Sequence, residues 1–122
     1  MTAETLPAHY RYAVSQIGVK EIVGPQNNPK VVWYFHRIGM SSVNDDETAW
    51  CAAFVGACLE ESGLRSTRSA WAKDYLHWGV HLDEPVPGCV VVYDRGKGYG
   101  HVNFFVRRSG NRILGLGGNQ GN

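Results

Sequence analysis

Ala49-Trp50-Cys51-Ala52-Ala53-Phe54-Val55-Gly56-Ala57-Cys58-Leu59-Glu60-Glu61-Ser62 is the stretch on which the fold turns. Thr48 stands before it as a cap and Gly63 closes it, so it reads as one helix over about 49–62. Cys51, Ala52, Ala53, Val55, Gly56, Ala57 and Cys58 are all small or β-branched. A helix needs so little bulk only when neighbours pack closely on more than one side. It is therefore expected to be the central helix of the domain.

On its N-terminal side the pattern is helical. Residues 5–18 carry Leu6, Tyr10, Val14 and Ile17 on one stripe, with Gly18 after them. Residues 19–28 form a loop broken at Gly24-Pro25. Asn28-Pro29 opens a second helix, with Val31, Tyr34, Phe35 and Ile38 as its buried face and Gly39 at its end. On the C-terminal side, Ser69 caps a short helix from Ala70 to Trp78, and Pro85 and Pro87-Gly88 make a turn. The period then changes. Cys89 to Tyr93 reads as a strand, Asp94 to Gly100 as a glycine-rich loop, and His101 to Arg107 as a second strand. Ser109-Gly110-Asn111 is a turn, and Arg112 to Leu116 a third strand. Helices followed by an antiparallel meander define an α+β fold.

A chain of 122 residues is expected to form one domain, residues 1–122. A 43% hydrophobic and 19% charged composition argues against disorder, and a net charge of +1 gives no long-range attraction to nucleic acid or an anionic membrane. With no apolar run long enough to span a bilayer, neither a nucleic-acid partner nor membrane insertion is expected. The expected state is a monomer. Met1 to Pro7 lacks a basic region followed by an apolar core, so the expected site of synthesis is the cytoplasm, without a visible signal peptide. Cys51, Cys58 and Cys89 form no CxxC pair and have no neighbouring paired His. At least one is therefore a free thiol, and no metal or cofactor is expected. A bridge between Cys51 and Cys58 is poor geometry, since two helical turns separate them by roughly 10 Å.

Cys51 falls at about the third position of its helix, among backbone N–H groups that lack helical partners. That end of a helix stabilises an anion by up to about 1–2 kcal/mol, and the thiolate is the form of cysteine that attacks. Cys58 lies two turns further on and Cys89 starts a strand, so both read as structural. His101 opens a strand on which His101, Asn103 and Phe105 share one face and Val102, Phe104 and Val106 the other. That strand is apolar except at its start, so the polar end is free to line a cleft. His9, His36, His77 and His81 read as surface or hydrogen-bonded residues. An imidazole base needs a third group to fix its tautomer. Folding back from the turn at 109–111 brings Gly117 to Gln120 beside His101; Asn119 is the first choice and Gln120 the second. Asp45, Asp46 and Glu47 either line the same cleft or serve the helix start as favourable charges. The alternatives are a buried structural cysteine, a hydrogen-bonded histidine at a strand edge, and a Gly117-Gly118-Asn119 segment that is only a turn.

Several short motifs occur in one order: Ile17-Gly18-Val19-Lys20-Glu21-Ile22, Asn28-Pro29, Asp45-Asp46-Glu47-Thr48 ahead of Trp50-Cys51-Ala52-Ala53-Phe54-Val55, Pro87-Gly88, Gly100-His101-Val102 and Leu116-Gly117-Gly118-Asn119-Gln120. Together they resemble the NlpC-type and CHAP-type branch of the papain-like cysteine hydrolases, which includes phage endolysin catalytic domains. The resemblance implies a papain-like fold, with the nucleophile helix packed on a C-terminal antiparallel sheet. It implies metal-free cleavage of amide bonds in peptidoglycan, by an endopeptidase or an N-acetylmuramoyl-L-alanine amidase that reaches the wall after release or delivery. By position, Cys51 is the nucleophile, His101 the base and acid, and Asn119 or Gln120 the orienting residue; the Cys51 N–H would hold part of the oxyanion. Asp46, Glu47, Trp50, Asn103 and Gln120 are candidate cleft residues. Asn103 stands where the family commonly has a small residue. Arg65, Arg68 and Lys73 are candidate contacts for substrate carboxylates, against a plain solvated basic face. The competing function is a noncatalytic wall-binding or phage tail structural module on the same fold.

Overall fold

The small-residue helix is where the layers of the molecule meet. The computed structural model describes residues 6–17, 29–40, 50–96 and 99–118. It contains α1 (Ala8–Ser15), α2 (Pro29–Arg37), α3 (Cys51–Glu61), a 3₁₀ helix (Ala72–His77), β1 (Val90–Gly96), β2 (Tyr99–Ser109) and β3 (Arg112–Leu116). Every residue of α3 from Cys51 to Leu59 is buried, because α1, α2 and β2 all pack on it. Gly56 shows why its side chains are small. A Cβ there would sit 2.6 Å from Ile38 Cγ2 and 3.2 Å from the Tyr75 hydroxyl, closer than packed atoms tolerate. In α2, Val31, Tyr34, Phe35 and Ile38 are all buried, as their spacing predicts.

The sheet is a three-stranded antiparallel meander in the order β1-β2-β3. Its registers place Val90 opposite Phe104, Val92 opposite Val102 and Tyr93 opposite His101, and then Phe104 opposite Leu116. Val90, Val92, Val102, Phe104 and Leu116 therefore share a face and pack with the helices. The fold is α+β with helices first and the antiparallel sheet after them, as read from the sequence.

Several local expectations change. Val14 and Ile17 are 44% and 69% exposed, and Ala13 is buried instead. Helix α1 ends at Ser15, so Ile17 lies beyond it and cannot continue the stripe. The expected helix from Ala70 to Trp78 is a shorter 3₁₀ segment; Ser69 does not cap it, although its hydroxyl accepts the Trp71 N–H at 3.0 Å. Strand β1 runs on to Gly96 and β2 starts at Tyr99, which shortens the expected loop. Cys89 is half-buried and precedes β1. Thr48 and Asn28, the expected caps, lie outside the described residues.

At the far end of α3 an ionic cluster ties the following loop down. The Ser66 N–H and hydroxyl each donate to Glu60 Oε2 at 2.9 Å, and the Arg68 guanidinium donates to both Glu60 oxygens at 3.3 Å. Arg37 donates to Glu61 Oε1 at 2.7 Å and to the Glu60 carbonyl at 2.9 Å. These contacts hold Arg68 at a φ of 56°, a conformation side-chain-bearing residues rarely adopt. Burial alone would raise the Glu60 carboxyl, but the hydrogen bonds from Arg68 and Ser66 and the Arg68 charge outweigh it, leaving the group at about 2 instead of 4.5. A carboxyl held below its unfolded value stabilises the fold fully above the unfolded value, and that contribution fades as pH falls through the folded one. Stability should therefore drop between about pH 4.5 and 2, with roughly 2–3 kcal/mol at stake. Urea melts across that range check this: Glu60→Gln should start lower and lose less on acidification.

Candidate active site

Cys51 is the first residue of α3, two positions earlier in its helix than the sequence suggested. Trp50 takes the cap position, with no side-chain cap bond. The first helical hydrogen bond runs from the Phe54 N–H to the Trp50 carbonyl at 2.9 Å. The N–H groups of Cys51, Ala52 and Ala53 thus precede the ladder and point out of the helix start. Cys51 itself is 7% exposed.

Trp50 fixes the position of this helix start. Its ring stacks on Tyr34 at 5.8 Å and meets Phe54 edge-on at 6.3 Å. Gly118 closes the cage: a Cβ there would collide with the Trp50 ring and come within 2.8 Å of Phe54 Cβ. The segment following β3 therefore lies directly on the start of α3, and only a residue without a side chain permits it. Trp50, a candidate for the cleft, belongs instead to the core at 2% exposure. Trp71, by contrast, is 61% exposed.

His101 is the third residue of the central strand and is 5% exposed. It lies opposite Tyr93, whose ring tilts against the imidazole at 5.9 Å and 42°. Asn103, on the same face, is 4% exposed, and its Oδ1 accepts the Tyr93 hydroxyl at 3.0 Å. Gly115 on β3 leaves the space this amide fills, since a Cβ there would overlap the Asn103 side chain. The intervening residues turn the other way. Phe104 meets Phe54 of α3 at 6.5 Å and His9 of α1 at 5.1 Å. Helix α3 and strand β2 thus meet through Phe54 and Phe104, opposite the end of β3.

Asn119, Gln120, Asp46 and Glu47 lie outside the described residues. Cys58 is fully buried, and that burial pushes its thiol far above the ordinary range, with nearby Lys30 opposing only in part. Its thiol is inert, as expected of a structural cysteine. Lys73 and Arg68 have carboxylate partners within the fold: Lys73 Nζ lies 3.1 Å from Asp94 Oδ1 beside Gly100, and Arg68 holds Glu60. His9 is hydrogen-bonded as expected, its Nε2–H donating to the Gly88 carbonyl at 2.6 Å. Sequence reading passed over Tyr93 and Gly115. The signal for Tyr93 was its place at the polar end of the first strand, but finding its partner requires the hairpin register.

Together these features define a class: an α+β fold with a thiol heading the central helix and an imidazole on the central strand. The profile of the CHAP domain family matches residues 43–119, more than half of the chain, and the chain belongs to that family. CHAP domains are generally hydrolases acting on peptidoglycan. No curated protein and no solved structure matches this chain.

Proposed function

We propose that this protein is a cysteine-dependent hydrolase that cuts an amide bond in bacterial peptidoglycan, with Cys51 as nucleophile and His101 as acid and base. The observation that carries this reading is the seating of the Trp50–Cys51 corner against Gly118. Strand β3, paired with the His101 strand as far as Phe104↔Leu116, leads directly into that corner.

In the proposed cycle the Cys51 thiolate attacks the amide carbonyl. The oxyanion is held partly by the Cys51 N–H, which has no helical acceptor. His101 passes its proton to the leaving amine, and a thioester remains on Cys51. The neutral imidazole then takes a proton from water, hydroxide displaces the thiolate, and a carboxylic acid leaves. Asn119, or Gln120, orients the imidazole. The cycle needs no metal or cofactor, and its partner is the wall polymer, met by a monomer outside the cytoplasm after release or delivery.

Product masses from digested peptidoglycan test this. Hydrolysis adds one water per bond cut, and the fragment pair distinguishes a stem-peptide bond from the N-acetylmuramoyl-L-alanine link. Fragments carrying an added amine in place of water would mean acyl transfer. Intact polymer that sediments with the protein would mean a binding module.

A further inference from the structure

We propose that Tyr93 and Asn103 act as a fixed pair that positions the His101 imidazole, a role that rests on the reading of His101 as the acid and base. All three strands contribute. Tyr93, on β1, faces His101 directly across the antiparallel pair, where side chains stand closest. Its ring limits how far the imidazole swings toward β1. Its hydroxyl reaches along the same face to donate to Asn103 Oδ1 at 3.0 Å. Asn103 lies two residues beyond His101 on β2, so the tyrosine is tied at one end to the strand that carries the imidazole. Gly115, on β3, leaves room for the amide.

The cost of this arrangement argues for its use. The opposite face of the same strands is apolar: Val90, Val92, Val102, Phe104 and Leu116. An apolar pair at 93 and 103 would fill the space without removing an amide and a hydroxyl from water, a change that is often neutral or stabilising. A part-buried polar pair adds direction: it has one low-energy arrangement, and it fixes the ring that bears on the imidazole. For a group that moves protons, direction matters greatly, since a misplacement of about 1 Å costs on the order of 100-fold in rate.

The test uses Tyr93→Phe, Asn103→Leu and the double variant on a soluble wall fragment. Tyr93→Phe keeps the ring and loses only the hydroxyl. Each single change should lower kcat by about 10- to 100-fold with KM within about twofold, and the double should be no slower than the slower single, because the two act as a unit. The second readout needs no substrate. Ring ¹⁵N signals of His101, identified by their loss in His101→Gln, should shift in Tyr93→Phe. A wild-type kcat together with unmoved His101 signals in Tyr93→Phe overturns the positioning role. Shifted signals in a protein whose Cys51→Ser form remains active would leave the positioning intact and remove the cysteine mechanism instead.

Discussion

Cys51→Ser should abolish release of soluble fragments from purified cell walls, by on the order of 1,000-fold or more. The change is one atom, sulfur to oxygen, at the first residue of α3 and at 7% exposure. A serine is well accommodated at a helix start, so the melting temperature should stay close to that of the parent protein. What the change removes is the accessible anion. A helix start offers up to about 2 kcal/mol to a negative charge, enough to help a thiol ionise and far too little to ionise a hydroxyl. Iodoacetamide should have the same effect as the substitution, and equally so in Cys89→Ser, which removes the half-buried thiol; Cys58 is fully buried, and its thiol stays protonated. A chelator should leave the rate unchanged. Full activity in Cys51→Ser together with loss in chelator would replace the thiol mechanism with a metal one. A parent protein that coats walls and releases nothing would be the binding module on the same fold.

The order of elements was legible because it depends on local chemistry. Val31, Tyr34, Phe35 and Ile38 repeat at the helical period and all four are buried; Arg112 to Leu116 follows a turn and is a strand of those bounds. The small-residue helix announced its central place because nothing else explains a helix with so little bulk. Errors arose where tertiary contact decides. Val14 and Ile17 fit a stripe, yet the helix stops short of Ile17 and presents Tyr10 and Ala13 to the core. Trp71 stands in solvent despite its size, whereas Trp50, a candidate cleft residue, is enclosed by Tyr34, Phe54 and Gly118. In the candidate site, Cys51 and His101 were visible as the two chemically exceptional residues at element starts. Tyr93 was not, because its meaning lies in the register: only the pairing of Tyr93 with His101 and of Val91 with Asn103 puts its ring and hydroxyl where they act. Gly115 was hidden for the same reason, since the collision it avoids is with a side chain on the neighbouring strand.

His101→Gln should reduce hydrolysis by about 100- to 10,000-fold, the range that general acid–base groups supply. Glutamine suits the site better than alanine. His101 is 5% exposed on the central strand, beneath the Tyr93 ring, and truncation there would open a cavity and blur a catalytic loss with a folding one. Glutamine keeps most of the volume and the hydrogen-bonding capacity, and it cannot carry a proton between amine and water. His77→Gln is the matched control: His77 is exposed on the 3₁₀ helix, and its loss should leave the rate unchanged. The rate of Cys51 alkylation separates the two roles assigned to the imidazole. If His101 draws the proton from the thiol, His101→Gln should alkylate more slowly than the parent protein even with no substrate present, because fewer molecules carry the thiolate. If alkylation is as fast as in the parent while hydrolysis is lost, the helix start alone makes the thiolate, and the imidazole serves the leaving amine and the water. If neither rate changes, the base lies elsewhere, and the convergence of α3 and β2 at the end of β3 is a packing feature without a catalytic partner at position 101.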